Sequence, residues 1–467
     1  MHKYFVATTN KPALSYKVGE EIVITVKAIL KHTPIECKNV RWQLWGDDKQ
    51  YMSGTCNITP SQPLVIKTSL SKPGFLKVHV KAFTDDNGES ADIREYFCSA
   101  GAEVEKLEVS EPKPDNYDAF WQEIENKLAN FTPEIIEKKQ IFDNVPEGYV
   151  CYDVKISTFV DTPASGYITM PKEGKDFNIT ITFNGYGISC ANAYYGKNTI
   201  LAHFNAHGFE NGVSRFEINN RYLPTLNNYG FNEEENKNPL TTYWYKMMVR
   251  NLCGLKYLKS LDQWNKKFIK ASGGSQGALQ ATTVAAHDKD VSYLEIFIPW
   301  FCNLTAEKYG AVGGWRPKPE EGVKYFDTVY QAQNVTCPVN IEGYLGDYTC
   351  PPSTITTLYN AFKSNYKSLT FYQGGTHLDR PEDRERHILR YDPQFPDGQL
   401  KKGIYRHFKG DKYELLTTGI DSETLLETVV YKSVDTGEVW VRPAYMWNDM
   451  FPVDDKLVKR FELIEEK

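Results

Sequence analysis

The middle of this 467-residue chain alternates apolar strands with helical segments, and this alternation constrains its fold more than any other feature. Residues 178–183 and 268–272 are apolar-rich runs, as expected for strands buried on both faces of a sheet. Between them, residues 241–261 carry apolar side chains at helical spacing. Further strand patterns follow at 294–298, 339–343 and 368–372. We therefore predict an α/β fold with a mostly parallel central sheet and helices on both faces.

Different patterns flank this region on both sides. Residues 1–105 contain short alternating strands separated by glycine-containing turns, which predicts an immunoglobulin-like β-sandwich. The α/β domain is expected over residues 106–392. Residues 393–467 are strand-like and charged and are predicted to form a small β-rich domain. Nine scattered cysteines without a C-x-x-C pair indicate free, mostly buried thiols rather than a disulfide framework.

Charge and hydropathy argue against several classes of partner. A formal net charge of −6 favours neither nucleic acid nor an anionic membrane. No apolar run approaches the roughly 20 residues of a membrane span, and residues 1–5 lack the apolar core of a signal peptide. We therefore expect a cytoplasmic protein, or a periplasmic or secreted one if a signal peptide has been removed. The sequence has no metal-binding or nucleotide-binding motif, so no metal or other cofactor is expected.

The turn Gly273-Gly274-Ser275-Gln276-Gly277 joins an apolar strand to an alanine-rich helix. A nucleophilic serine on a sharp strand-to-helix turn needs small neighbours, and glycines flank this serine on both sides. The alternative interpretation is a glycine-rich turn with an ordinary serine. The context favours Ser275 as a nucleophile.

A serine hydroxyl is a poor nucleophile near neutral pH and needs a base within hydrogen-bond reach. His377 lies in a glycine-rich loop directly after the predicted strand 368–372, where such a base is expected. His287 is poorly placed, on or just past the helix that follows the serine. His387 lies in a charged segment, 380–390, which is predicted to be helical. We therefore predict His377 as the base.

The base in turn needs an orienting acid. Asp347 follows the predicted strand 339–343 in a loop that contains a pair of prolines. A turn-forming role is the alternative for this aspartate. Asp379 is close to His377 in sequence and Glu342 lies within a strand, so both are weaker candidates. We predict Asp347 as the acid.

The oxyanion of an ester-cleavage intermediate needs preorganised N–H donors. The backbone N–H of Gln276, next to the serine, is one candidate. The second is the N–H of Tyr186 in the loop Asn184-Gly185-Tyr186-Gly187, because its glycines allow close approach of the backbone. The Tyr186 ring is also a candidate wall of the acyl pocket.

From about residue 115 to 391 the chain resembles the acetyl xylan esterases that include cephalosporin-C deacetylase. The motifs that carry this resemblance are Phe120-Trp121, Phe183-Asn184-Gly185-Tyr186, the Ser275 turn, Asp347-Tyr348-Thr349-Cys350-Pro351-Pro352-Ser353-Thr354 and Gly375-Thr376-His377. The resemblance implies an α/β-hydrolase fold, the triad Ser275, Asp347 and His377, and the oxyanion pair Tyr186 and Gln276. It also implies removal of acetyl groups from xylose-based oligosaccharides or other small acetylated alcohols.

Two stretches depart from this family's pattern. Residues 212–217 stand where the family usually has Arg-Gly-Gln, and a longer insert continues to residue 238. Leu378 follows His377 where the family tends to have Glu. The insert can form substrate or subunit contacts, so a homo-oligomer is possible but the family's ring-shaped hexamer is not assumed. The C-terminal stretch 403–464 resembles a small bacterial domain of unknown function and carries no catalytic residues.

Two other functions remain open on the sequence alone. A serine peptidase of the prolyl-oligopeptidase type would have the same fold, but about 100 residues of β-sandwich are too few for its β-propeller. A non-catalytic glycan-binding protein could keep a hydrolase scaffold, but the complete triad argues against it. We therefore predict a serine carboxylesterase whose partner is a small acetylated carbohydrate.

Overall fold

The computed structural model describes residues 3–84, 91–364, 366–380, 386–391, 400–420, 427–447, 449–453 and 456–466. The chain forms two compact units. Unit 1 comprises Met1–Val104, Tyr344–Gly346 and Ser368–Lys467. Unit 2 comprises Glu105–Gly343 and Asp347–Lys367. The predicted division into three domains, with boundaries at 105 and 392, stays a prediction.

The N-terminal part of unit 1 is all β structure. Its strands are β1 (Tyr4–Thr9), β2 (Ile22–Leu30), β3 (Thr33–Ile35), β4 (Cys37–Gly46), β5 (Tyr51–Ile58), β6 (Leu64–Thr68), β7 (Gly74–Ala82) and β8 (Tyr96–Ala102). They form two antiparallel sheets, one of β1, β2, β3 and β6 and one in the order β5-β4-β7-β8. Along β7 buried side chains alternate with half-buried ones, as the period-two sequence pattern predicts.

Unit 2 contains the following helices and strands. They are α1 (Tyr117–Asn130), β9 (Ile135–Ile141), β10 (Tyr149–Ile156), β11 (Ala164–Pro171), β12 (Phe177–Phe183), β13 (Thr199–Phe204), α2 (Arg215–Glu217), α3 (Leu223–Leu226), α4 (Tyr243–Lys259), β14 (Trp264–Gly274), α5 (Gln276–His287), β15 (Tyr293–Phe297), α6 (Thr328–Ala332), β16 (Val339–Tyr344) and α7 (Pro352–Ala361). A π-helical turn (Ile218–Tyr222) joins α2 to α3, and short 3₁₀ turns occur at Glu235–Lys237, Ala306–Tyr309 and Val323–Phe326.

The sheet of unit 2 runs in the order β16-β15-β14-β12-β13-β11-β10-β9. The strands from β16 to β13 are parallel to one another, which confirms the predicted parallel centre. The outer strands β11, β10 and β9 pair antiparallel, and the sequence pattern did not reveal this. Their connections are too short for crossover helices, so successive strands reverse direction.

The order of the strands indicates where a ligand would bind, at the carboxyl ends of β12 and β14. β13 lies on one side of β12 and β14 on the other, so the chain changes direction across the sheet at β12. Ligands of open α/β sheets bind beyond the carboxyl ends of the strands at such a point. The residues that follow β12 and β14 are Asn184 and Ser275.

The rest of unit 1 is again rich in strands. These are β17 (Lys367–Tyr372, whose first residue belongs to unit 2), β18 (Arg386–Tyr391), β19 (Gly403–His407), β20 (Lys412–Ile420), β21 (Glu427–Ser433), β22 (Val439–Pro443), β23 (Met450–Val453), β24 (Lys456–Lys459) and β25 (Phe461–Glu466). A five-stranded antiparallel sheet has the order β22-β21-β20-β19-β25. Its buried cluster includes Tyr405, Tyr431, Trp447 and Phe461, which confirms the predicted β-rich C-terminus.

The stretch that contains His387 differs from its sequence-based prediction. The predicted helix over 380–390 is wrong where it can be compared, because residues 386–391 form a strand; residues 381–385 lie outside the described part. Charged residues dominated that prediction, although His, Ile, Leu and Tyr in the same stretch suit a strand.

All nine cysteines are free, as expected. Within the described residues, no helix is long and apolar enough to cross a membrane.

Candidate active site

Ser275 has a backbone conformation that side-chain-bearing residues rarely adopt. It lies between β14 and α5 with φ 55° and ψ −120°, and it is buried. A Cβ atom on Gly273 would lie 2.4 Å from the carbonyl oxygen of Gly277, and one on Gly277 would lie 2.3 Å from that of Phe183. Both glycines are therefore required by close backbone approach. Strain of this kind, held by the surrounding structure, is typical of a nucleophilic serine turn.

Backbone hydrogen bonds fix the turn. The Ser275 N–H donates to the carbonyl of Phe297 at 2.9 Å, and the Ser275 carbonyl accepts from the Trp300 N–H at 3.3 Å. Gln276 is the first residue of α5, so its N–H has no partner inside the helix. The N-terminus of a helix also favours negative charge. This position suits an N–H that stabilises an oxyanion.

The Tyr186 loop follows β12, and a side chain of α5 forms a hydrogen bond with it. The Gln280 side chain donates to the Asn184 carbonyl at 3.1 Å and accepts from the Asn251 side chain at 3.1 Å. The Asn184 side chain donates to the Ser189 hydroxyl at 3.1 Å. A Cβ on Gly185 would lie 3.7 Å from the Cβ of Ser275, so the loop passes directly beside the serine.

His207 holds the same loop from another side. One ring nitrogen, Nε2, lies 2.9 Å from the Gly187 carbonyl, and Nδ1 lies 2.6 Å from the Tyr243 hydroxyl. Burial lowers the pKa of His207 to about 4. The ring is therefore neutral at pH 7, and the network fits a proton on Nε2 with Nδ1 accepting from Tyr243. This histidine holds the loop through hydrogen bonds at both ring nitrogens.

Aromatic rings surround Tyr186. Its ring stacks on Tyr229 with 4.3 Å between centroids and meets Trp315 and Trp300 edge-on at 4.7 and 5.7 Å. Phe231 lies 4.8 Å from Trp315. These four neighbours were not predicted from the sequence. Two sequence features could have pointed to three of them. Trp300 lies just after a sheet strand, and Tyr229 and Phe231 lie in the atypical insert.

Asp347 is fully buried at the start of the loop after β16. Its carboxylate accepts the backbone N–H groups of Thr349 and Cys350, both at 2.9 Å, which fixes its orientation. Burial raises the pKa of the Cys350 thiol, and a side-chain hydrogen bond with Ser275 acts in the opposite direction. The thiol stays protonated at neutral pH. Cys350 therefore links the Asp347 loop to the serine.

His377 is half-buried and lies in unit 1, in the loop after β17. The Gln373 side chain fixes the start of this loop, because it accepts from the Ser99 N–H at 3.1 Å and donates to the Ser99 carbonyl at 2.9 Å. The Thr376 N–H donates to the Asp379 carbonyl at 2.9 Å and closes a tight turn around His377. Asp379 also forms an ion pair with Arg94.

The segments that precede the predicted acid and base meet within unit 1. The Leu345 N–H donates to the Tyr372 carbonyl at 2.9 Å. A Cβ on Gly346 would lie 2.6 Å from the carbonyl oxygen of Gly375. Gly346 directly precedes Asp347, and Gly375 lies two residues before His377.

The weaker candidates have other roles or no described side chain. The His287 ring is buried between Glu125 and Gln331, at 2.7 Å from each, and stacks on Trp121 at 4.1 Å. It packs helices together. Asp379 pairs with Arg94, and Glu342 lies in β16. The His387 side chain lies outside the described residues.

A parallel sheet whose strand β14 passes into α5 through a strained serine turn defines the α/β-hydrolase class. The chain belongs to the acetyl xylan esterase (AXE1) family, whose family model matches residues 100–307 and 320–394. It is therefore a carboxylic ester hydrolase. A second family model, for a protein of unknown function (DUF1653), matches residues 403–463.

Known proteins are similar over the same region. Acetyl esterase Axe7A from Xylanibacter ruminicola is 24% identical over 381 residues, which cover 76% of this chain and 82% of the relative. A solved acetyl xylan esterase from Paenibacillus sp. R4 is 19% identical with a TM-score of 0.49, covering 59% of this chain and 93% of its own. Acetyl xylan esterase 1 from Thermoanaerobacterium sp. JW/SL YS485 is 16% identical with a TM-score of 0.49, covering 60% and 93%.

Proposed function

We propose that this esterase removes acetyl groups from acetylated xylo-oligosaccharides or related small acetylated carbohydrates. Ser275 is the nucleophile, His377 the general base and acid, and Asp347 the residue that orients the histidine. The observation that carries the proposal is the buried, strained Ser275 at the carboxyl end of β14, beside the Tyr186 loop. Family membership supplies the ester-hydrolase class.

The reaction proceeds in two half-reactions. His377 takes the hydroxyl proton as Ser275 Oγ attacks the acetyl carbonyl, and a tetrahedral intermediate forms. The bond to the sugar oxygen then breaks, and the sugar hydroxyl leaves with the proton from His377. Water, deprotonated by the same histidine, attacks the acetyl-enzyme, and acetate leaves as Ser275 recovers its proton.

The backbone N–H groups of Gln276 and Tyr186 bind the oxyanion in both half-reactions. Support comes from the position of Gln276 at the first turn of α5 and from the passage of the Tyr186 loop beside Ser275. Donors that are fixed before the reaction cost no reorganisation when charge develops.

A short acyl group fits the space near the serine. A cavity of about 20 Å³ is lined by residues that include Trp300, Trp315 and Cys350. Such a volume holds about one water-sized group, which matches the methyl group of acetate. Trp300 and Cys350 each contact Ser275 through a hydrogen bond, so this cavity lies beside the turn.

The assignment of Asp347 and His377 rests on their loops. Each follows a strand of the predicted sheet, in the order serine, acid, histidine that the α/β-hydrolase class uses. The contact between Gly346 and Gly375 supports the assignment, because it brings the residues just before Asp347 and His377 together.

Release of acetate tests the proposed function. Wild type is expected to release acetate from 4-nitrophenyl acetate and from acetylated xylo-oligosaccharides, and Ser275→Ala should lose this activity. Ser260→Ala, which removes an exposed hydroxyl, is the matched control and should keep full activity. His377→Ala should lose about as much kcat as Ser275→Ala, because triad members act as a unit.

Other outcomes would contradict these assignments. Full activity in Ser275→Ala would remove the nucleophile. A large residual rate in His377→Ala, together with loss in His387→Ala, would move the base to His387. Cleavage of dipeptidyl substrates without acetate release would indicate the peptidase instead.

A further inference from the structure

The hydroxyl of Tyr229 connects the two loops that carry the oxyanion donors. It accepts the Gly187 N–H at 3.1 Å and donates to the Gln276 side-chain oxygen at 2.7 Å. Gly187 follows Tyr186, and Gln276 follows Ser275. One oxygen atom therefore joins the loop after β12 to the first residue of α5.

The rest of Tyr229 holds Tyr186 as well. The Tyr229 carbonyl accepts the Tyr186 hydroxyl at 3.1 Å, and the two rings lie 4.3 Å apart with planes 12° from parallel. His207 and Tyr243 also contact the Tyr229 ring, with centroids 4.7 Å away in each case. Tyr229 is 6% exposed.

The hydrogen bond from Tyr229 fixes the side chain of Gln276. Its side chain is fully buried, and its Nε2 has no hydrogen-bond partner among the described residues. Its side-chain oxygen accepts the hydrogen bond that Tyr229 donates. Burial also raises the pKa of Tyr229, so its hydroxyl keeps its proton and remains a donor through the working pH range.

We propose that Tyr229, supplied by the insert, is a positioning residue that sets the spacing of the Tyr186 and Gln276 N–H groups. The residue acts through its two neighbours, Gly187 and Gln276. This inference rests on the proposed function and extends it, because it gives the atypical 212–238 segment a part in oxyanion stabilisation. Donors that must be preorganised lose their effect when their spacing relaxes.

Tyr229→Phe is the variant that tests the proposal, since it removes the hydroxyl and keeps the stacked ring. We expect kcat for 4-nitrophenyl acetate to fall about 10- to 100-fold, less than the 10²–10³-fold loss typical of removing an oxyanion donor itself. KM should change by less than about twofold, and the pH profile should keep its midpoint, because the base is unchanged. Tyr222→Phe removes a hydroxyl from the same insert and should keep the wild-type kcat.

The partner residue provides a second test if Tyr229→Phe does not fold. Gln276→Leu removes the acceptor and leaves Tyr229 in place, and we expect a similar loss of kcat. In the double variant Tyr229→Phe/Gln276→Leu the two losses should not multiply, because both remove one contact. Wild-type kcat in either folded single variant, or fully multiplicative losses, would overturn the proposal.

A fluorophosphonate separates failure of this inference from failure of the deacetylase proposal. Such a probe phosphonylates a reactive serine without any acetyl group, and its phosphoryl oxygen occupies the oxyanion site. If wild type reacts at Ser275 but releases no acetate, the substrate proposal fails, and slower labelling of Tyr229→Phe still supports the inference. Equal labelling rates in wild type and Tyr229→Phe would overturn the inference alone. Absence of labelling at Ser275 in wild type would overturn both.

Discussion

At the scale of single residues, Gly273 and Gly277 allow Ser275 to keep its φ of 55°. In Gly273→Ala the new methyl would lie 2.4 Å from the Gly277 carbonyl carbon and oxygen, both backbone atoms that cannot rotate away. The turn must therefore shift. We expect a loss of stability of about 1–3 kcal/mol, as for overpacking elsewhere, and a loss of kcat of at least tenfold.

Thermal unfolding and 4-nitrophenyl acetate turnover measure these two effects. Gly419→Ala is the matched control, because its methyl would lie 3.8 Å from the nearest atom, which is ordinary contact. A Gly273→Ala protein with wild-type kcat and Tm would show that the turn tolerates a side chain.

Some candidate site residues were predicted from local patterns in the sequence, and these assignments stay predictions. Ser275, Gln276 and Tyr186 stand out because glycines and a strand-to-helix change surround them. Tyr229 could not be found in this way, because its proposed role depends on hydrogen bonds to residues 42 and 47 positions away in the chain. The same holds for His207, whose partners Gly187 and Tyr243 are distant in sequence.

At the scale of elements, β8 of the N-terminal sheet fixes the start of the His377 loop. The Gln373 side chain pairs with both backbone groups of Ser99, much as a neighbouring strand would. Both residues are buried, so loss of Gln373 leaves a buried N–H and C=O unpaired. We call the N-terminal part of unit 1, strands β1 to β8, the N-terminal module. This module is thus part of the structure that orders the His377 loop.

Gln373→Met keeps the length of the side chain and removes both hydrogen bonds. We expect faster amide hydrogen exchange in residues 373–380 and a kcat lower by about tenfold, because the proposed base, His377, loses its fixed position. Gln43→Met is the matched control; it removes a hydrogen bond to Tyr51 on the exposed face of the same module. Unchanged exchange and kcat in Gln373→Met would show that the loop holds its position without the N-terminal module.

Elements were predicted well where a periodic pattern was long. The strand 178–183 and the helix 241–261 appear as Phe177–Phe183 and Tyr243–Lys259. The antiparallel direction of β9 to β11 was not predicted, because pairing direction depends on partners that a single strand's pattern does not specify. The 386–391 strand was predicted as helix because its charges obscured a short pattern.

At the scale of the whole molecule, two buried histidines make stability depend on pH. Burial lowers the pKa of both His203 and His207 to about 4, whereas a histidine in the unfolded chain has a pKa near 6.5. The unfolded chain therefore binds more protons than the folded one between about pH 6.5 and pH 4. We therefore expect the contribution of these two histidines to the free energy of unfolding to be complete above pH 6.5 and to fall as the pH drops through this window.

His203→Asn tests this dependence without changing the catalytic loops. The Asn oxygen can replace Nδ1, which accepts the Asn192 N–H at 2.8 Å, but it does not titrate. Between pH 7 and pH 5, each histidine should contribute about 2 kcal/mol of lost stability, so the variant should lose about 2 kcal/mol less than wild type. Urea unfolding at both pH values measures the difference, and His32→Asn, at an exposed position, is the control. If His203→Asn and wild type lose the same free energy between these pH values, His203 is not the source of the acid sensitivity.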